Sequence, residues 1–311
     1  MNDPVLSQLH ATARHLLSTA RVDLVLGFQR GTLPLRSRPA FIRQPEEVQR
    51  LLCDAFAESN LARYLLQQRG QRTAIVARGC EARSIATLVA ERQVDREEIV
   101  ILGFPCRGVI DRRRLLAAAP GEILVAEDQG EEIVIRGRGF EERLPRADLL
   151  SRACQACTEP NPATADILLG EPLAGWAPRR DLVAEVEALP PAERWAAFAA
   201  QAARCIRCYA CRQACPLCYC PECFVDRNQP AWTDAGPSPA GQQFWQIMRA
   251  YHQAGRCASC GACERACPLG IPLLHLTDKL TRVVHSRFGP GATLELDAET
   301  RGAGSRPQEE R

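Results

Sequence analysis

Apolar residues change their spacing along this chain, and each change marks an element. In residues 47–69, EEVQRLLCDAFAESNLARYLLQQ, they recur at helical intervals, which predicts a helix ended by Gly70. The run that follows, RTAIVA, is short and continuously apolar, as a buried strand is. SIATLVAERQ is then helical, EIVILGFP a strand, and DRRRLLAAA helical again. With VDLVLGF near residue 22 and the later EILVAE and EIVIRG, the pattern predicts an α/β domain over residues 1–175 with a largely parallel sheet.

Around residues 171–195 prolines and charges replace the β-branched runs, which predicts a linker over 176–195. Residues 196–288 are rich in cysteine and mostly helical in pattern. GQQFWQIMRAYHQAG predicts a helix closed by Gly255, and IPLLHLTDKLTRVVHSRFG predicts another. Residues 289–311 are polar and rich in Gly, Pro and charge, the composition of a disordered tail.

A length of 311 residues with 46% hydrophobic content accommodates about two packed domains. The 39 basic and 37 acidic side chains are interspersed and leave a net charge of +2, so there is no field to attract nucleic acid. No basic segment followed by an unbroken apolar core opens the chain, and no stretch approaches the roughly 20 apolar residues of a membrane span. A soluble, cytoplasmic protein is expected. Its 16 cysteines point to metal rather than to a disulfide framework, which belongs mainly to small secreted domains.

Cys205, Cys208, Cys211 and Cys215 follow the spacing C-x2-C-x2-C-x3-C-P, and Cys257, Cys260, Cys263 and Cys267 repeat it. A tight loop of this kind wraps three thiolates around a cubane [4Fe-4S] cluster, and in two-cluster ferredoxins the cysteine before proline ligates the other cluster. One cluster is thus expected on Cys205, Cys208, Cys211 and Cys267, the other on Cys257, Cys260, Cys263 and Cys215. Zinc bound at C-x2-C knuckles is the alternative, but it explains neither the third cysteine of each loop nor the duplication.

Cys80 follows RTAIVA and Cys106 follows EIVILGF, so both are expected where open α/β sheets build their sites, at the carboxyl ends of strands that feed helices. Together with Cys154 and Cys157 of CQAC they make a ligand set for a third [4Fe-4S] cluster; the alternative is that Cys80 and Cys106 are buried core thiols. Cys53, in an apolar pattern, is expected in the core. For Cys218, Cys220 and Cys223 three readings stay open: a further metal site with His252 as a remote candidate ligand, replacement of a cluster ligand, or plain thiols.

Residues 196–287, with their two motifs about forty residues apart, resemble the α-helical ferredoxin domain of the iron–sulfur subunits of succinate dehydrogenase, heterodisulfide reductase and glycerol-3-phosphate dehydrogenase complexes. GFPCRG and CQACTEPNPATADILLG resemble elements of the coenzyme F-420 hydrogenase/dehydrogenase beta-subunit family over residues 20–172. The resemblance implies a [4Fe-4S] cluster on Cys80, Cys106, Cys154 and Cys157, commonly FAD, and electron exchange with a deazaflavin or a partner subunit. Flavin-containing members extend their core after the C-x2-C element, whereas this chain turns into the ferredoxin motifs, and no G-x-G-x-x-G follows a strand; RGRGF at residues 136–140 is expected to be a turn.

The fold expected is therefore an α/β N-terminal domain followed by a mostly helical two-cluster ferredoxin domain. No Ser/His/Asp or paired-carboxylate arrangement is recognisable, so an electron-transfer subunit is expected, with hydrogenase, formate dehydrogenase or heterodisulfide-reductase-like subunits as partners. The alternatives are an FAD enzyme that reduces a deazaflavin or nicotinamide, and a zinc-binding regulatory module.

Overall fold

Helix α1 (Pro4–Ser18) buries Leu9, Ala13 and Leu16 and leads into an antiparallel pair of strands, β1 (Leu24–Arg30) and β2 (Ser37–Ile42). The computed structural model describes residues 4–230, 236 and 238–289; the tail expected beyond Gly289 lies outside them. After a short 3-10 turn at Pro45–Arg50 come α2 (Ala62–Leu65), β3 (Thr73–Ala77), α3 (Gly79–Ala90), β4 (Ile99–Gly103) and α4 (Arg112–Ala118). Strands β5 (Ile123–Asp128), β6 (Glu132–Gly137) and β7 (Phe140–Pro145) follow, then α5 (Arg146–Leu149), α6 (Arg152–Gln155) and β8 (Ile167–Leu168). The remainder is helical: α7 (Leu182–Glu187), α8 (Pro191–Ala203), α9 (Ala210–Ala214), α10 (Pro239–His252), α11 (Ala262–Ala266) and α12 (Leu274–Phe288).

The main sheet has the order β2-β1-β3-β4-β8, with β2 antiparallel to β1 and the other pairs parallel. Strand β3 is buried along its whole length and divides its side chains by alternation. Ala74 and Val76 join Leu9, Ala13 and Leu16 of α1, while Ile75 and Ala77 join Ile85 and Leu88 of α3. Cover on both faces is what a parallel sheet needs, and it explains why RTAIVA lacks polar alternation.

Two expectations are corrected. EILVAE and EIVIRG are strands, but they form with β7 a separate antiparallel sheet, β5-β6-β7, and do not extend the main one. RGRGF is the hairpin turn between β6 and β7, with Gly139 at φ +81°, as expected. Residues 47–69 are not one helix. Asp54 accepts hydrogen bonds from Ser37 Oγ at 2.6 Å and the Phe56 amide at 3.0 Å, and Asn60 Oδ1 accepts from the Ala62 amide at 3.0 Å. These short polar side chains offer the backbone local partners in place of the helical ladder, and the buried Arg78 guanidinium binds the carbonyls of Ala57 and Ser59 at 2.8 and 2.7 Å. Cys53 in this segment is half-buried against the core on the α1 side.

The segment 176–195 carries α7 and the start of α8, and Leu182 and Val183 of α7 are buried, Leu182 in a cluster with Cys211, Cys263 and Cys267. The helical region seats on the α/β domain largely through arginines that donate to backbone carbonyls. Arg63 Nε reaches Gln213 O at 3.1 Å, Arg83 Nη2 reaches Ala258 O at 3.0 Å, and Arg265 Nε reaches Glu58 O at 2.9 Å. Arg113 donates to Cys267 O, and Leu217 inserts into the core beneath α3.

Candidate metal centres

The two cysteine motifs are offset by 52 residues at each of their four positions, from 205 and 257 to 215 and 267. Their backbones repeat as well. Arg207 and Tyr209 lie in the left-handed region at φ +50° and +60°, and their counterparts Ser259 and Gly261 lie there at +50° and +70°. Each loop turns its first amide onto its first sulfur: Arg207 N donates to Cys205 Sγ at 3.4 Å and Ser259 N to Cys257 Sγ at 3.3 Å. The short helices α9 and α11 that follow pack on each other, which carries each fourth cysteine towards the opposite loop.

Cys205, Cys208, Cys211 and Cys267 line one cavity with Trp245 and Gln246. In the second group Cys215 stands among the charges that face both Cys257 and Cys263, together with Cys260. Burial pushes the Cys263 thiol up to about 12 and the Cys257 thiol well above its ordinary value, and the hydrogen bond to Cys218, followed by burial, does the same for Cys215. Such groups stay protonated at neutral pH unless a cationic core takes the proton's place, which is how metal binding and thiol ionisation are linked. Among the described residues, no three Cys, His, Asp or Glu side chains gather as tightly as a single metal ion requires.

The third set lies where strand-end position predicts. Cys80 is the second residue of α3, directly after β3, and Cys106 follows β4. Cys154 is on α6 and Cys157 is just beyond it. All four line a cavity of about 250 Å³, and Cys257 and Cys260 line the same cavity. Val109 N donates to Cys154 Sγ at 3.2 Å and Gly108 N to Cys106 Sγ at 3.3 Å, while burial raises the Cys106 thiol to about 11. The loop after Cys157 folds over the strand ends, where Cys106 N donates to Pro160 O at 3.1 Å.

That loop also packs closely against the strand ends. A Cβ at Gly79 would stand 2.4 Å from Glu159 O, and one at Gly103 would stand 2.5 Å from side-chain atoms of Pro162 and Ala165. The amide of Arg78 before α3 already donates to Glu81 Oε2 at 2.9 Å. The strand ends are therefore tightly packed beside the cavity that the four thiols line.

Of the surplus cysteines, Cys218 is half-buried beside Cys215: Gln253 Nε2 donates to Cys218 Sγ at 3.3 Å, and Cys215 Sγ reaches Gln253 Oε1 at 3.8 Å. Cys220 is exposed, and Cys223 caps the 3-10 turn Phe224–Asp226. His252 stacks on Phe224 with ring centroids 4.8 Å apart. The buried polar residues Gln242, Gln246 and Arg249 of α10, and Gln253 just past its end, are not singled out by the cysteine motifs. Their spacing was visible as a polar stripe within a helical run.

Residues 201–271 match the 4Fe-4S dicluster domain family, so this region carries two [4Fe-4S] clusters. The chain is 25% identical over 358 residues to the F420-dependent formate dehydrogenase subunit beta of Methanocaldococcus jannaschii, covering 92% of each protein. It is 23% identical over 367 residues to the F420-dependent formate dehydrogenase 1 subunit beta of Methanococcus maripaludis, covering 96% of this chain and 93% of the relative. A chain of the F420-reducing [NiFe] hydrogenase complex from Methanosarcina barkeri superposes with a TM-score of 0.43 and 14% identity, over 56% of this chain and 68% of that one. Among the described residues no helix is long and apolar enough to cross a membrane. The chain thus joins a 4Fe-4S dicluster domain to an α/β domain and is similar along nearly its whole length to the beta subunits of F420-dependent formate dehydrogenases.

Proposed function

We propose that the chain is the iron–sulfur electron-transfer subunit of a cytoplasmic redox complex, with three [4Fe-4S] clusters in series. In this reading Cys205, Cys208, Cys211 and Cys267 hold the first, Cys257, Cys260, Cys263 and Cys215 the second, and Cys80, Cys106, Cys154 and Cys157 the third. The observation that carries it is the cavity shared by Cys80, Cys106, Cys154 and Cys157 with Cys257 and Cys260. In this reading the second set is in the middle, against the third, and the first is towards the surface, which the exposure of Cys208 and Ile206 supports.

Bound clusters supply one-electron carriers, and the protein's part is to space them, exclude water and set their potentials. The names of the relatives suggest a formate dehydrogenase or hydrogenase-type catalytic subunit as partner. We assign no residue to FAD. The alignment with the Methanocaldococcus relative is longer than this chain of 311 residues, so that relative has segments this chain lacks.

Coulometry on the anaerobically reconstituted full chain tests the reading. It predicts about three electrons taken up per chain, one for each cluster. Two electrons would remove the third cluster. Flavin released by acid and seen by its fluorescence, with two further electrons, would replace the subunit reading with the flavoenzyme one.

A further inference from the structure

Gln242, Gln246, Arg249 and Gln253 recur on α10 and just past its end at the four- and three-residue steps that keep one face of a helix. All four are buried, at 5%, 7%, 7% and 2% exposure. A helix that packs only by apolar burial carries leucine or isoleucine on that stripe. Here each of the last three members meets the cysteine motifs instead. Gln246 Nε2 donates to Cys205 Sγ at 3.3 Å, and Gln253 Nε2 donates to Cys218 Sγ at 3.3 Å, with its Oε1 3.8 Å from Cys215 Sγ. Arg249, between them, donates from Nη2 to Cys211 O at 3.4 Å, and its Nε is buried without a hydrogen-bond partner.

A buried guanidinium needs an anion, since desolvation works against its charge. Arg249 carries its charge between Gln246, which is bonded to Cys205, and Gln253, which lies beside Cys215 and Cys218, with the Cys211 carbonyl at its own Nη2. Those thiols come from both cysteine sets. Gln246 and Gln253 are seven residues apart, about 10 Å along the helix axis, so the stripe spans the space between the two.

We infer that α10 sets the reduction potentials of both ferredoxin-type clusters: Arg249 gives one fixed positive charge to the pair, and Gln246 acts on the first alone through its N–H bond to Cys205. The inference rests on the crossed ligand assignment proposed above. Reduction adds negative charge to a cluster, so a facing cation and N–H donors to its sulfurs favour the reduced form and raise its potential. A weakly screened interior enlarges both effects. Because Arg249 faces both sets, it raises both potentials together. The difference between them, which drives the hop from one cluster to the other, is set on this helix by Gln246, whose N–H reaches the first set alone.

The test is an EPR-monitored redox titration of the reconstituted full chain, with Cys215→Ser and Cys267→Ser used to assign the signals. Arg249→Met is expected to lower both midpoint potentials and Arg249→Lys to hold them near wild type. Gln246→Leu should lower the first cluster's midpoint and leave the second's in place. Unchanged midpoints in Arg249→Met, or a shift of one cluster alone, would overturn the shared-charge assignment. If Arg249→Met fails to retain its clusters, Gln246→Leu decides, and an unshifted first midpoint there contradicts the inference. A wild-type chain whose iron analysis finds no clusters at these motifs overturns the functional reading, and the inference falls with it.

Discussion

Gly261 rests directly on Ala153: a Cβ at Gly261 would stand 2.4 Å from the Cβ of Ala153. Gly261 belongs to the second cysteine loop and Ala153 precedes Cys154 on α6, so the dicluster region touches the α/β domain at backbone distance where the proposed second and third clusters adjoin. Its counterpart in the first loop, Tyr209, has room for a phenol that stacks edge-on against Trp245 at 5.1 Å and donates to Asp226 at 2.5 Å. The two loops share one backbone and differ in what they are pressed against.

Gly261→Ala combines an unfavourable left-handed residue with an overpacked contact, and is expected to cost about 2 kcal/mol or more. Anaerobic urea unfolding checks the cost. Its effect should concentrate at the junction, so hydrogen exchange is expected to rise in α6 and α11 while α10 is spared. A variant as stable as wild type would mean the two regions do not hold this contact in solution.

The buried pair of Arg78 and Glu81 gives a second expectation. Glu81 accepts from Arg78 Nε and Nη2 and from the amides of Arg78 and Leu61, all at 2.9 Å, and both side chains of the pair are almost wholly buried. Glu81→Gln leaves an uncompensated guanidinium in the core and is expected to destabilise by about 3–5 kcal/mol. A loss below 1 kcal/mol in the same unfolding assay would show that the pair is hydrated.

Asp181 ties α7 to α12. It caps α7 by accepting from the Val183 and Ala184 amides at 3.0 Å, and it pairs with Arg282 at 2.7 and 2.9 Å. The bonds from Arg282 hold its carboxyl down at about 2, against 3.8 for the ordinary group. A lowered folded pKa contributes stability that is complete above the unfolded value and is lost as pH falls from about 4 towards 2. Asp181→Ala is therefore expected to cost about 1 kcal/mol, mostly from the cap because the ion pair is exposed, and the gap should stay constant between about pH 5 and pH 8. A gap that changes within that interval would assign the stabilisation to another group.

Cys215→Ser tests the crossed assignment. The cluster on Cys257, Cys260 and Cys263 is expected to shift in potential or fall to a three-iron form, while the one on Cys205, Cys208 and Cys211 keeps its EPR signal. Cys218 sits beside Cys215 on the same glutamine, so the double variant Cys215→Ser/Cys218→Ser should lose the second cluster outright if the neighbour can step in. Damage confined to the first cluster would establish ligation within each loop.

Much of this arrangement was legible in the sequence because its signals are local. RTAIVA and EIVILGF are β-branched runs followed at once by Cys80 and Cys106, so strand ends and thiols were placed together without knowledge of the sheet. The repeated cysteine spacing likewise fixes its own backbone turns. Residues 47–69 misled because helical periodicity competes there with Asp54, Asn60 and the distant Arg78, partners that only the tertiary structure supplies. β5 and β6 have the pattern of strands, but nothing in that pattern says which sheet they enter. Arg249 was overlooked for a related reason: a charged residue in an amphipathic helix is usually on its wet face, and here the face it shares with three glutamines is dry.

The third cluster is the central claim, and iron with acid-labile sulfide per chain measures it most directly. Three four-iron clusters predict about twelve irons and twelve sulfides in the reconstituted full chain, falling to about eight in Cys80→Ser/Cys154→Ser with both dicluster EPR signals intact. About eight irons in the wild type, unchanged in that variant, would contradict it.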